Sequence, residues 1–484
     1  MGRRPPASRR GRIVSASTRP VRVAVPRGDL RTPVGERLAA AGFRAQGYLE
    51  GSRTYRFDVD GIEGVQVRVF SDQDIPIQVA LGQYDLGIAS GTWIDELLVR
   101  YRHDSVVPLR PLDIEGETLV VAGAPGADLA SLAGAGIVRV ATEYPQIAHH
   151  YLTRLRVPDY RLYEVWAQAE AWPPRDAELA IAPASAVAKE GLAVLGTVHR
   201  SGVWLIANRE ALATRDLSAA LGPLLSLARA TAEGGLVDPT PLAVTRGTST
   251  VAPARERFRI AVPDGHAQRH TVAALADAGI AFPGYEATSS VRYPESGDPG
   301  IEVKVMRPQD MPRAVALGHF DLAISGRDWL RAFLATFPAA PVTELCDLKR
   351  SKYQMGAVIS EDLPVENIEE AIALWRRDDP EFPIRVASEY ASLADEYART
   401  RHLGRYRVIP ISGASEGFVP EDAEILIEGT ETGTTLRANR LRMIDVIMES
   451  TNCVIGHATA PEGARGARRA EYVARLRAAA EAAV

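Results

Sequence analysis

Two carboxylates and four threonine hydroxyls gather around Gly433 in the stretch Glu428-Gly429-Thr430-Glu431-Thr432-Gly433-Thr434-Thr435-Leu436-Arg437-Ala438-Asn439. The preceding run, Ala423-Glu424-Ile425-Leu426-Ile427, has the length and β-branched content of a buried strand, and a helical pattern resumes from Leu436 to Met448. A strand, a Thr/Gly turn and a helix start together present several N–H groups and hydroxyls to one phosphate, with the helix dipole behind them. Glu428 and Glu431, just before the turn, suit a Mg²⁺ ion or sugar hydroxyls. A Thr/Gly-rich turn alone is also an ordinary loop, so the surrounding elements decide its meaning.

A chain of 484 residues is long enough for two or three domains, each with its own core. The formal net charge of −5 supplies no basic field for nucleic acid and no polybasic patch for a membrane surface. Cys346 and Cys453 have no metal-type spacing, and two cysteines make no disulfide framework, which points to a reducing, cytoplasmic compartment. No apolar run approaches the length of a membrane span. Residues 1–20 are rich in arginine without an apolar segment behind them and read as a disordered arm rather than a secretory signal.

The chain repeats itself. Val21-Arg22-Val23-Ala24-Val25-Pro26-Arg27-Gly28 returns as Phe258-Arg259-Ile260-Ala261-Val262-Pro263-Asp264-Gly265, and Gln73-Asp74-Ile75-Pro76 returns as Gln309-Asp310-Met311-Pro312. Tyr84-Asp85-Leu86-Gly87-Ile88-Ala89 matches Phe320-Asp321-Leu322-Ala323-Ile324-Ser325, and Val138 to Tyr144 matches Ile384 to Tyr390. The offset stays near about 240 residues, far too long for a solenoid, so a whole domain is duplicated. Short apolar strands alternate with helices (33–41 and 268–278 among them), which predicts α/β copies with mainly parallel sheets. Ligands in such sheets sit beyond the carboxyl ends of the strands, where 26–28 and 432–434 both fall. The organisation expected is an arm (1–20), a first copy (21–232), a Gly/Pro/Thr/Ser-rich linker (233–256), a second copy (257–457) and a C-terminal helix within 458–484.

One order of motifs runs through the second copy: Ala261-Val262-Pro263-Asp264-Gly265, Arg307-Pro308-Gln309-Asp310-Met311-Pro312, Asp321 to Gly326, Val386 to Tyr390, Gly413-Ala414-Ser415-Glu416 and Glu431 to Asn439. This order resembles the catalytic domain of ATP phosphoribosyltransferase, the enzyme of the first step of histidine biosynthesis. Both copies follow it, from about Val21 to about His457. The resemblance implies tandem two-lobed domains similar to periplasmic binding proteins of the second type, with second lobes at 119–183 and 353–431. It also implies displacement of pyrophosphate from phosphoribosyl pyrophosphate by N1 of ATP, with Mg²⁺ on the leaving group.

The two copies keep different parts of that pattern. In the first, the strand Ala177 to Ala182 runs into Pro183-Ala184-Ser185, without the Thr-Gly-Thr turn, and Ser71-Asp72 stands where the second has Arg307-Pro308. In the second, Asp264 replaces a basic residue that the first retains as Arg27. A single competent site in the second copy's cleft, with the first copy as built-in partner, fits these losses; so does decay of the first copy into a scaffold.

The residues expected to bind the 5-phosphate are Thr432, Gly433, Thr434 and Thr435, with Leu436 completing the turn; Glu428 and Glu431 face the ribose hydroxyls or the metal. Arg307 is expected at phosphates or stacked on the purine, Lys352 in the basic run 349–352 at phosphates, and Glu416 and Arg27 at substrate. Asp310 and Asp321 serve equally as strand or helix ends. His149-His150 cannot face one ion from a single helix, and Trp166, Trp172 and Trp204 read as core or interface filling. The partners expected are phosphoribosyl pyrophosphate and ATP, with a homo-oligomer, an internal pseudo-dimer or a separate regulatory subunit all compatible. Two alternatives stand beside this reading: transfer to another heterocycle, and a non-catalytic ligand-binding paralogue.

Overall fold

The computed structural model describes residues 19–45, 47–49, 56–100, 105–231, 234–243, 257–413 and 415–482. Most of the arginine-rich arm and most of the linker, at 233 and 244–256, lie outside the described residues. Two compact units emerge, one of residues 1–116 with 202–233 and the other of 117–201 with 234–484.

The first unit holds one six-stranded sheet in the order Arg56–Val59, Ile62–Phe70, Val21–Pro26, Leu86–Ser90, Gly202–Asn208, Val106–Glu115. Val21–Pro26 pairs in parallel with Ile62–Phe70 and Leu86–Ser90, and the returning strand Gly202–Asn208 is antiparallel to its neighbours. In the second unit the first copy's other lobe forms a sheet in the order Gly235–Leu236, Ala193–Arg200, Leu119–Gly123, Leu179–Pro183, Val138–Thr142, Tyr160–Glu164. Gly235–Leu236, at the start of the linker region, pairs with Arg200 and His199.

The second copy supplies two further sheets to that unit. One runs Ile301–Met306, Phe258–Pro263, Leu322–Gly326, Asn452–His457, Val342–Asp347; the other runs Tyr406–Pro410, Ile384–Ser388, Ile425–Thr430, Tyr353–Ser360, Leu441–Ser450. The α/β duplication is therefore present, and each sheet is mixed: a parallel trio is extended by antiparallel strands. A strand that returns between lobes without a helical crossover must run antiparallel, which alternation of strands and helices does not reveal.

The helix expected over 436–448 is not there. Helix covers only Thr434–Ala438, Arg440 adopts φ +56°, and Leu441–Ser450 is an edge strand against Tyr353–Ser360. Its Met443-Ile444-Asp445-Val446-Ile447-Met448 segment is β-branched at alternating steps, and pairing decides in favour of strand. The C-terminal helix spans Gly463–Ala482 and buries Tyr472 and Leu476 against Phe258 and Ile260.

Equivalent side chains hold equivalent corners in both copies. Tyr48 and Tyr285 each donate to the carbonyl of the strand-ending proline, Pro26 and Pro263, at 2.6 Å. Asp85 and Asp321 each accept the backbone N–H of Arg22 and Arg259 at 2.9 Å. Asp321 thus fixes a strand end, and Arg465 of the C-terminal helix closes on its other oxygen.

Within the second unit, the first copy's lobe shares one apolar core with the second copy: Val120, Tyr163, Trp172 and Ala180 pack with Met306, Met311, Phe320 and Ile455. At the centre of this seam Asp176 is buried against Arg259, Lys304 (2.5 Å) and the Tyr293 hydroxyl (3.0 Å). The Lys304 ammonium also lies 4.0 Å from the Trp172 ring centroid, so Trp172 fills an interface as expected. In the first unit, Trp204 is half-buried on its strand. His149 hydrogen-bonds the Tyr160 hydroxyl (2.6 Å). Among the described residues no helix is long and apolar enough to cross a membrane.

Candidate active site

Between the two sheets of the second copy lies a cleft of about 510 Å³. One wall is the turn after Ile425–Thr430: Glu428, Thr430, Glu431, Thr432, Thr435 and Leu436 all line it. Gly433 sits at φ +67°, ψ 8°, the left-handed region, and reverses the chain there. Thr430 Oγ1 accepts the Gly433 N–H (2.9 Å), and the Thr432 and Thr434 hydroxyls bond to each other (2.9 Å). With only five residues in the helix that follows, backbone N–H groups and hydroxyls, rather than a macrodipole, are what the turn can offer an anion.

Arg437 brings the positive charge. Its Nη2 donates to the Thr432 carbonyl (2.9 Å) and reaches Thr434 Oγ1 (3.4 Å). Its position, four after Gly433, gains this contact only once the turn is closed, which the sequence alone does not show.

Glu428 lies under the turn. Ser415 Oγ donates to its Oε2 (2.5 Å) and the Gly429 N–H to its Oε1 (2.9 Å). Burial raises its pKa to about 7; these two hydrogen bonds pull the other way, while Glu389 and Glu416 push it further up. Glu416 lines the cleft with Glu428, and carboxylate oxygens are the donors that Mg²⁺ takes, so these two would hold it. Glu431 is turned elsewhere: its Oε1 meets His266 Nε2 at 2.8 Å, and that hydrogen bond holds its carboxyl below the usual range.

The opposite wall carries Arg307 and Asp264. The repulsion an acid such as Asp264 would exert on a phosphate is offset, because Arg292 (3.2 Å) and Arg307 (3.4 Å) both pair with it and leave one net positive charge. Arg307 Nε is buried without a hydrogen-bond partner among the described residues, as a group awaiting an anion would be. Trp329 stacks on Tyr390 (centroids 4.2 Å apart, 30° between planes), and the Tyr390 hydroxyl donates to the buried Asp328 (2.7 Å). These aromatics line the cleft together with Tyr353.

Not all of the other expected site residues line the cleft. Lys352 is exposed and paired with Glu449 (3.0 Å), and Arg350 pairs with Asp277; from the basic run only Ser351 lines the cleft. Lys349 and Ser351 both have positive φ, so the run is a tight turn that points its cations outward. Glu416 lines the cleft, whereas Gly433 and Thr434 stand behind its wall within the turn. Arg27 belongs to the first unit, where its Nε donates to Ser71 Oγ (3.0 Å).

Asp310 does not line this cleft. Its carboxylate accepts the Trp166 N–H (3.0 and 3.1 Å), and the Trp166 ring leans on Trp329 with centroids 6.0 Å apart. The first copy therefore supports the cleft wall through its second lobe. Burial raises the Asp310 pKa to about 7.

Comparison with known proteins fits this geometry. The family model described as HisG: ATP phosphoribosyltransferase matches residues 71–227 and 307–478, one stretch in each copy. The chain belongs to the ATP phosphoribosyltransferase family. An ATP phosphoribosyltransferase of Chlorobium phaeovibrioides is 29% identical over 206 residues, covering 41% of this chain and 63% of that protein. Another, from Solibacter usitatus, is 30% identical over 221 residues, covering 45% of this chain and 71% of its own length. The chain thus spans a little under two thirds of the first of these relatives. A chain of the ATP phosphoribosyl transferase (HisG:HisZ) complex from Thermotoga maritima is similar at 20% identity, with 46% of this chain and 99% of that chain covered and a TM-score of 0.37.

Proposed function

We propose that this ATP phosphoribosyltransferase family member transfers the phosphoribosyl group of phosphoribosyl pyrophosphate to N1 of ATP in the second copy's cleft. The C1–O bond to pyrophosphate breaks, the C1–N1 bond forms, and pyrophosphate leaves with the bonding electrons. The observation that carries this reading is the Glu428–Leu436 turn, closed around Gly433 on one wall of a cleft whose other wall presents Arg307.

The hydroxyls of Thr432 and Thr435, which line the cleft, and the turn N–H groups hold the 5-phosphate, with Thr434 and Arg437 bracing the turn behind them. Glu428, ionised above about pH 7, accepts from the ribose hydroxyls or would help to hold Mg²⁺. Mg²⁺, when bound, neutralises the leaving pyrophosphate. Arg307 stabilises the charge that develops there, and the Trp329–Tyr390 stack offers a flat face to the purine. Rate enhancement in such a site comes from positioning and fixed charge rather than from covalent help. The first copy acts as an internal partner that buttresses Trp329, and a cytoplasmic location follows from the supply of both substrates.

Gly433→Val tests the phosphate turn. A β-branched residue at φ +67° costs about 1–2 kcal/mol, and its Cβ would meet Arg437 Nη1 at 2.9 Å. Phosphoribosyl pyrophosphate at about 100 times its Kd should stabilise the wild type by ~2.7 kcal/mol against thermal unfolding. That shift is expected to disappear in Gly433→Val; an undiminished shift in the variant would show that the ligand binds elsewhere.

A further inference from the structure

The mouth of the cleft carries a cluster that the proposed transfer does not use. His266 and His270 lie four residues apart on the helix His266–Asp277, so they share one face, with ring centroids 5.4 Å apart. Glu431 approaches from the other lobe and already meets His266 Nε2 at 2.8 Å. One ligating atom from each of the three lies within 4.8 Å of the other two. The i, i+4 histidine pair with a carboxylate from a distant segment is a recurrent way to build a zinc site.

We propose that His266, His270 and Glu431 bind a transition-metal dication of the zinc class, and that the bound ion clamps the two lobes of the second copy across the cleft. Two imidazoles and one carboxylate suit Zn²⁺ at bond lengths of about 2.0–2.2 Å and leave a fourth position for water. Mg²⁺, which takes oxygen donors in octahedral geometry, is a poor match, so this site is separate from the acids around Glu428. His266 and Glu431 are 59% and 41% exposed at their side chains, which leaves the cluster open to ions from solution.

Arg269 opposes the ion. Its Nε donates to His270 Nε2 (3.1 Å), so that nitrogen presents a lone pair and a fixed positive charge sits beside the cluster. Metal binding displaces Arg269, and removing its charge strengthens binding. Because His266 and Glu431 line the cleft, an ion that joins them also fixes walls that must separate for substrate entry and product release.

The test titrates the full chain with zinc sulfate by calorimetry, with MgCl₂ as competitor, and repeats the titration with Co²⁺ to read its visible absorption. The wild type should take up one ion at this site, unaffected by Mg²⁺, with Co²⁺ bands of a low-coordinate nitrogen-containing site. His270→Ala should weaken binding by about tenfold or more, and Arg269→Gln should tighten it. His270→Gln, close in size, gives the same reading if the alanine variant does not fold. Equal affinity in wild type and both His270 variants would overturn the site, as would displacement of Zn²⁺ by Mg²⁺ at similar concentration.

The clamp is read separately, by zinc inhibition of pyrophosphate release, and this arm rests on the proposed transfer. Inhibition should be present in the wild type and lost in His270→Ala; binding without inhibition in an active enzyme overturns the clamp. Binding by a chain that shows no transfer supports the metal site and counts against the proposed function alone.

Discussion

Asp176→Asn is expected to destabilise the second unit by about 3–5 kcal/mol, the range for a buried ion pair that loses one partner, and to lower its melting temperature by roughly 5–10 °C. Asp176 is 1% exposed and accepts from Arg259, Lys304 and Tyr293 at the seam between the two copies. Burial alone would push its carboxyl upward, but Lys304 and Arg259 hold it well below the usual carboxylate range. Lys304 is equally enclosed, and burial draws its pKa down. Loss of the carboxylate leaves an ammonium among Trp172, Tyr293 and Arg259, with Glu302 bonded to Arg259 at 2.9 Å.

The sign of the pH effect follows. A depressed acid contributes stability above its unfolded value near 3.9, and that contribution fades as pH falls through the lower folded value. The gap between wild type and Asp176→Asn should therefore be full at pH 6–8 and shrink in acid. A double variant, Asp176→Asn with Lys304→Met, removes the orphaned charge and should recover part of the loss. A melting temperature unchanged within one degree in the single variant would contradict a structural role for this cluster.

Glu428→Gln should have opposite effects on stability and activity. A carboxyl raised from 4.5 to about 7 costs folding free energy that builds up as pH rises between those values and is full above about 7. The full shift corresponds to about 3 kcal/mol; solvent at the cleft, and the loss of one of the two acceptor oxygens that Ser415 and Gly429 donate to, reduce the expected gain to about 1–2 kcal/mol. The variant should be more stable than wild type at pH 8 and equal to it at pH 4, with the difference growing between about 4.5 and 7. Its turnover should fall by about 10²–10³, as for loss of one fixed charge in a desolvated site. Wild-type kcat/KM should rise with pH through about 7, and that limb should flatten in the variant. A variant with both stability and turnover unchanged would remove Glu428 from the site.

The duplication was legible because each copy repeats its hydrophobic strands and the polar residues that lock their ends, such as Asp85 and Asp321. The turn at Gly433 was legible because all its hydroxyls are local in sequence. What stayed hidden depends on residues far apart in the chain. Asp264 seemed a defect until Arg292 and Arg307 were seen to flank it. His266 and His270 lack a third ligand until Glu431 folds back from 161 residues on. Asp176 gives no signal in its own copy, since its partners belong to the other. The segment after Ala438 reads as helix by periodicity, and only the neighbouring strand Tyr353–Ser360 makes it a strand.

The central claim is ATP-dependent cleavage of phosphoribosyl pyrophosphate at the Gly433 turn. Its most direct test is pyrophosphate release with ATP and Mg²⁺, drawn forward by coupled pyrophosphatase, in wild type and Thr432→Ala. Release that requires ATP and falls by about ten- to hundredfold in the variant is the expected result, the range for losing a hydrogen bond to a charged group. A folded wild type that releases no pyrophosphate with ATP, or a variant that matches it, would contradict the account.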